Sequence, residues 1–148
     1  GDDYLYSYGG DDVLIGGAGN DYMDGGLGVD TASYAGTSVG VTVSLLTTVA
    51  QNTVGAGTDT LTGIENLLGS SYNDTLTGDA NANTIEGGLG NDTLNGGAGV
   101  DTVSYSKATA AVTVATTKND DLDAYRFAYW TRATFPGLCL QCCSIQRL

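Results

Sequence analysis

The chain has 148 residues and a formal net charge of −12, from 17 acidic against 5 basic side chains, with 23 glycines, one proline and no histidine. So few cations exclude a phosphate-binding surface for nucleic acid and disfavour an anionic membrane. The missing histidine excludes zincin and Ser-His-Asp chemistry, and the glycine content demands a fold in which tight turns recur throughout.

Gly1-Asp2-Asp3-Tyr4-Leu5 begins in mid-repeat, with no methionine, charged leader or apolar signal core, so the sequence reads as a fragment of something longer. Residues 1–33 form a first block. Within it, Gly16-Gly17-Ala18-Gly19-Asn20-Asp21-Tyr22-Met23-Asp24 fits G-G-x-G-x-D-x-U-x, where U is a large apolar residue. Residues 7–15 keep Gly10, Asp12 and Leu14 in that frame. Residues 25–33 keep both leading glycines, Gly28 and Asp30, with Ala32 in the apolar slot.

Residues 34–53 leave the frame. Val39, Val41, Val43 and Leu45 alternate with small or polar residues, which predicts a period-two strand in a connector. A second block, residues 54–104, resumes the repeat. Residues 54–62 carry Gly55, Gly57, Asp59 and Leu61, and Gly63-Ile64-Glu65-Asn66-Leu67-Leu68 is a shortened rung. Residues 69–77, 78–86 and 96–104 keep the frame, and Gly87-Gly88-Leu89-Gly90-Asn91-Asp92-Thr93-Leu94-Asn95 repeats it in full.

Residues 105–117 restart the connector and are cut short. Residues 16–44 and 87–115 align without gaps at an offset of 71, matching Asp30-Thr31-Ala32-Ser33-Tyr34 to Asp101-Thr102-Val103-Ser104-Tyr105. The tail, 118–148, is different material: it holds every Arg, both Phe, the only Trp and Pro, and Cys139, Cys142 and Cys143. Asp121 to Arg132 has a pattern compatible with an amphipathic helix. The tail reads equally as an irregular terminus or as non-native coding sequence. No stretch of about 18 apolar residues occurs, so no transmembrane helix is expected.

Each nonapeptide divides into a six-residue turn and a three-residue strand, whose middle side chain points opposite to its neighbours. Leu5, Leu14, Met23, Leu61, Leu76, Ile85, Leu94 and Val103 are therefore expected to stack as an inner ladder. One rung cannot bury its apolar residue alone. Two nonapeptides make a full turn, which sets residues eighteen apart above one another. The pairs are Asp3 with Asp21, Asp12 with Asp30, Asp74 with Asp92, and Asn83 with Asp101. At a rung spacing of roughly 4.8 Å these carboxylates repel unless a cation lies between them. Calcium suits the oxygen-only donor set, because it accepts about six to eight oxygens, backbone carbonyls included. Magnesium demands stricter octahedral geometry, and zinc prefers nitrogen or sulfur.

These nonapeptides resemble the repeats-in-toxin (RTX) family of secreted bacterial proteins, over roughly residues 1–115. The resemblance implies an all-β, right-handed parallel β-roll or β-helix solenoid, as in the serralysin-like C-terminal roll, here followed by an irregular or partly helical tail. It implies several calcium ions held by the position-six residues Asp3, Asp12, Asp21, Asp30, Asp59, Asp74, Asn83, Asp92 and Asp101. Carbonyls of Gly17, Gly19, Gly88 and Gly90 carry over as further ligands. It also implies type I secretion, folding on meeting extracellular calcium, and covalent attachment to a parent toxin, protease, lipase or adhesin.

Competing readings are weaker on the residues. Asp79-Ala80-Asn81-Ala82-Asn83 mimics an EF-hand loop, but Thr84 and Gly90 stand where that loop needs glycine and glutamate. Thr60-Leu61-Thr62 and Thr75-Leu76-Thr77 resemble ice-binding rows and are explained by strand propensity. Cys139, Cys142 and Cys143 make no complete zinc set. Tyr34 and Tyr105 read as packing at equivalent block edges. The leading expectation is a non-catalytic, extracellular calcium-binding module. Alternatives are the C-terminal fragment of a secreted metalloprotease or lipase, or of a calcium-dependent adhesin or ice-binding solenoid. The sequence sets no oligomeric state.

Overall fold

A computed structural model describes residues 1–105 and 107. Twelve short strands follow one another without a helix among the described residues. The first six are β1 (Tyr4–Tyr6), β2 (Val13–Leu14), β3 (Tyr22–Asp24), β4 (Thr31–Ser33), β5 (Thr42–Ser44) and β6 (Gln51–Asn52). The second six are β7 (Thr58–Thr62), β8 (Asn66–Leu68), β9 (Thr75–Thr77), β10 (Thr84–Glu86), β11 (Thr93–Asn95) and β12 (Thr102–Ser104). The expected helix at Asp121–Arg132, the three cysteines and nearly all of the connector copy lie outside the described residues.

The chain winds as a parallel β-roll. Within each block strands pair in parallel at the eighteen-residue offset that two nonapeptides dictate: Leu5 faces Met23, Leu76 faces Leu94, and Ile85 faces Val103. One wall is a continuous sheet in the order β2-β4-β8-β10-β12. The opposite wall is divided into β1-β3-β7, with β6 at its edge, and β5-β9-β11.

Alternation along each strand turns the middle residue inward, so Leu14, Met23, Leu61, Leu76, Ile85 and Val103 are buried as expected. Leu5 and Leu94, each on the outermost strand of its sheet, are packed against this core only in part. Leu67 and Ile64 of the shortened rung join the core as well. Leu67 lies between Ala32 and Ile85, so the missing residues are taken from the turn and the strand register is kept.

The connector does more than the single strand its alternation predicts. Val41, Val43 and Leu45 turn inward, and β5 pairs in parallel with β9. The chain then reverses, and β6 runs antiparallel to β7, with Gln51 opposite Asp59. The Gln51 side chain closes the gap to β5: its Oε1 accepts the Ser44 N–H at 2.8 Å and its Nε2 donates to the Ser44 carbonyl at 2.9 Å. Among the described residues no helix is long and apolar enough to cross a membrane.

Candidate metal centre

The turn that precedes each inward apolar residue carries a carboxylate at position six, and the roll stacks these groups in columns. One carboxylate oxygen of each of Asp21, Asp30, Asp92 and Asp101 accepts a backbone N–H from the preceding rung. Asp21 Oδ1 accepts from Asp3 at 2.9 Å, and Asp30 Oδ1 from Asp12 at 2.8 Å. Asp92 Oδ1 accepts from Asp74 and Asp101 Oδ1 from Asn83, both at 3.0 Å. All four expected pairs are brought together in this way.

The columns run on where the eighteen-residue frame breaks. Asp59 Oδ1 accepts the Asp21 N–H at 3.0 Å, Glu65 Oε2 the Asp30 N–H at 2.8 Å, and Asp74 Oδ1 the Val41 N–H at 2.8 Å. Glu65 was not among the residues expected from the frame. Its signal lay in the spacing to the core, since Glu65-Asn66-Leu67 repeats the acid-x-apolar order of Asp21-Tyr22-Met23. A second ladder, also missed, runs in the opposite direction at position five. Asp2, Asp11, Asn20 and Asn73 each accept the N–H of the residue stacked on the next rung. The two ladders together tie consecutive turns from both sides.

Glycine at position one makes room for the carboxylates. A Cβ on Gly16 would strike the Asp21 side chain, and one on Gly25 would strike Asp30 and the Gly63 carbonyl. Gly17, Gly19, Gly88 and Gly90, whose carbonyls were expected to serve as ligands, all lie in these turns with positive φ.

The electrostatics of the turns are unbalanced. Asp21 is 2 % exposed and Asp30 0 %, yet Oδ2 of each is enclosed without any hydrogen-bond donor. An enclosed carboxylate oxygen without a partner costs at least about 1–3 kcal/mol. Lys107 pairs with Glu86 at 3.2 Å, not with these carboxylates. Burial holds Asp59, Asp92 and Asp101 above the usual carboxylate range, despite the N–H each accepts. The neighbouring charges of Asp21, Asp74 and Asp79, respectively, push the three further in the same direction.

These groups fit a hard cation. Two enclosed oxygens have no hydrogen-bond donor, and they sit against the first glycines of their turns, with the Gly63 carbonyl beside Gly25. Among the described residues no three carboxylate, imidazole or thiolate groups converge. An ion between turns would therefore draw most of its oxygens from carbonyls and water, a set that suits calcium and not zinc.

Not every column member is alike. Asp3 is exposed and Asp12 half-buried, on the outermost strands. Asp74 Oδ2 accepts the Ser70 N–H at 2.6 Å and its Oδ1 the Ser70 hydroxyl at 2.8 Å. Asn83 Oδ1 accepts the Asp79 N–H, and its Nδ2 donates to the Glu65 carbonyl, both at 2.8 Å.

Residues 1–32 and 68–103 match the family model described as the RTX calcium-binding nonapeptide repeat, in four copies. No curated protein matches the chain.

Proposed function

The chain is built on repeats of the RTX calcium-binding family, which bind calcium ions, and from that premise we propose that it is an extracellular module whose turns close around calcium and which has no catalytic role of its own. The observation that carries this reading is the pair of enclosed, donorless oxygens on Asp21 and Asp30. Calcium, when bound, supplies positive charge and a demand for about six to eight oxygen ligands.

The chain's own residues do the rest. Asp3 with Asp21 and Asp12 with Asp30 supply facing carboxylates in the first block, and Asp92 and Asp101 supply them in the second. Asp74 and Asn83 contribute less, since Ser70, Asp79 and Glu65 already engage their side chains. Carbonyls of Gly17, Gly19, Gly88 and Gly90 complete the sets. The N–H donors from Asp3 and Asp12 fix one oxygen of each acid, so each turn presents its second oxygen already oriented. Neutralising these charges relieves repulsion on a chain of net charge −12.

Calcium outside cells is abundant enough to fill sites with a Kd of about 10⁻⁴–10⁻³ M. The setting agrees with a family that is typically extracellular. The module would then hold or stiffen covalently attached parent domains after secretion.

Isothermal calorimetry of the full chain with calcium and with magnesium tests the proposal. Saturable calcium binding by several ions, with magnesium at least tenfold weaker, is expected. Absence of saturable calcium binding would sink it.

A further inference from the structure

Asp59 stands in the column of Asp3 and Asp21, is 0 % exposed, and occupies a position where the frame expects a metal ligand. Its Oδ1 atom accepts the Asp21 N–H, as in the other turns. Its Oδ2 atom corresponds to the donorless atoms of Asp21 and Asp30, but here it has partners. The Tyr34 hydroxyl donates to it at 3.1 Å, and the Thr53 hydroxyl lies at the same distance. Thr53 has a second acceptor in reach, the Gly57 carbonyl at 3.0 Å, so Tyr34 is the donor committed to Asp59.

Both hydroxyls come from the connector, and both residues are buried. A hydrogen bond to a carboxylate is roughly twice as strong as one between neutral groups. The Tyr34 hydroxyl, with the Thr53 hydroxyl beside it, meets at this enclosed oxygen the need that a cation meets elsewhere. They also occupy the space beside it, with Tyr34 3 % and Thr53 0 % exposed. A phenol carries its proton at neutral pH, so Tyr34 is a donor there.

Building on the calcium reading above, we propose that Tyr34 and Thr53 stand in for calcium at Asp59, so that the rungs around β3 and β7 close without metal and calcium completes the roll outward from them. The neighbouring column members agree, because Asp74 is engaged by Ser70 and Asn83 by Asp79 and Glu65. Among the described residues the enclosed oxygens without donors, Asp21 Oδ2 and Asp30 Oδ2, belong to the first block.

Amide hydrogen exchange of the full chain in chelator tests this directly. The Asp21 N–H, bound to Asp59, should exchange at least tenfold more slowly than the Asp12 N–H, bound to Asp30. Tyr34→Phe should abolish that difference. Calcium counting by equilibrium dialysis gives a second reading: Asp59→Asn should bind as many ions as the parent, and Asp30→Asn fewer. Equal exchange at Asp21 and Asp12 in chelator, or loss of an ion in Asp59→Asn, would overturn the proposal. Should Asp59→Asn fail to fold, the exchange rates of the unaltered chain decide. Should the chain bind no calcium at all, the metal reading fails while the exchange comparison still judges the clasp.

Discussion

Asp30 Oδ1 accepts the backbone N–H of Asp12 at 2.8 Å across eighteen residues, while Asp30 Oδ2 is sealed in the same turn without a donor. The first oxygen helps set the register of the rungs, and under the proposed function the second serves calcium. On that proposal register and metal binding share one side chain, and substitution separates the two.

Asp30→Asn keeps an oxygen to accept the Asp12 N–H and removes the buried charge. Calcium should bind the variant at least tenfold more weakly at this turn, about 1.4 kcal/mol. In chelator its melting temperature should equal or exceed that of the parent, because an enclosed, unpaired charge is gone. Melts with and without calcium read both effects. A calcium-induced shift as large as the parent's would contradict the assignment.

Gly25→Ala places a methyl group against the Asp30 carboxylate and the Gly63 carbonyl. The expected loss in calcium is about 1–3 kcal/mol, by overpacking of a closed turn. Gly36→Ala is the control, since nothing lies within 4 Å of its Cβ position, and it should change stability by no more than about 0.5 kcal/mol. Urea unfolding of the two variants side by side provides the measurement. Equal stabilities would remove the steric role given to the first glycine of the turn.

Much of this arrangement was legible in the sequence, because one frame positions glycine, acid and apolar residue together. Met23, Leu76 and Ile85 could be assigned to the core from the period alone, and the eighteen-residue pairing followed from two nonapeptides per turn. The frame failed where its count was interrupted. Glu65 hid in a shortened rung, and β6 hid in Gln51-Asn52, whose polar side chains carry no period-two signal. The partners of Asp59 could not be read at all, since Tyr34 lies 25 residues away in sequence and reaches it only through the connector's fold. Its position at the block edge predicts a packing residue, and the Tyr34 ring is buried; its hydroxyl has a second role.

Acid should stabilise the metal-free fold. Asp59, Asp92 and Asp101 titrate above the usual range in the fold, chiefly because burial disfavours their charge, so the folded chain holds these protons more tightly than the unfolded one. The resulting stability is fully present below the unfolded carboxylate value, about 3.9, and is lost as pH rises through the folded values. In chelator, urea resistance should therefore be greater near pH ~4 than near pH ~7. Calcium affinity should run the other way, falling with pH as protons compete for the same oxygens. Lower urea resistance at the acidic pH in chelator would contradict the sign.

Ile85→Ala should cost about 2–5 kcal/mol in the calcium-loaded roll, because the side chain is fully enclosed between Leu67 and Val103. Leu94→Ala should cost less, since Leu94 is only partly buried on the outermost strand β11. Denaturant midpoints of the pair rank the two sites. A larger loss at Leu94 would be inconsistent with the inward ladder.

The most direct test of calcium closure is far-ultraviolet circular dichroism of the full chain, stripped with chelator and titrated with calcium at constant ionic strength. The expected result is a growing β signal that saturates near millimolar calcium, reverses with chelator, and is not reproduced by equal magnesium. A β signal already complete in chelator and unchanged by calcium would contradict the account.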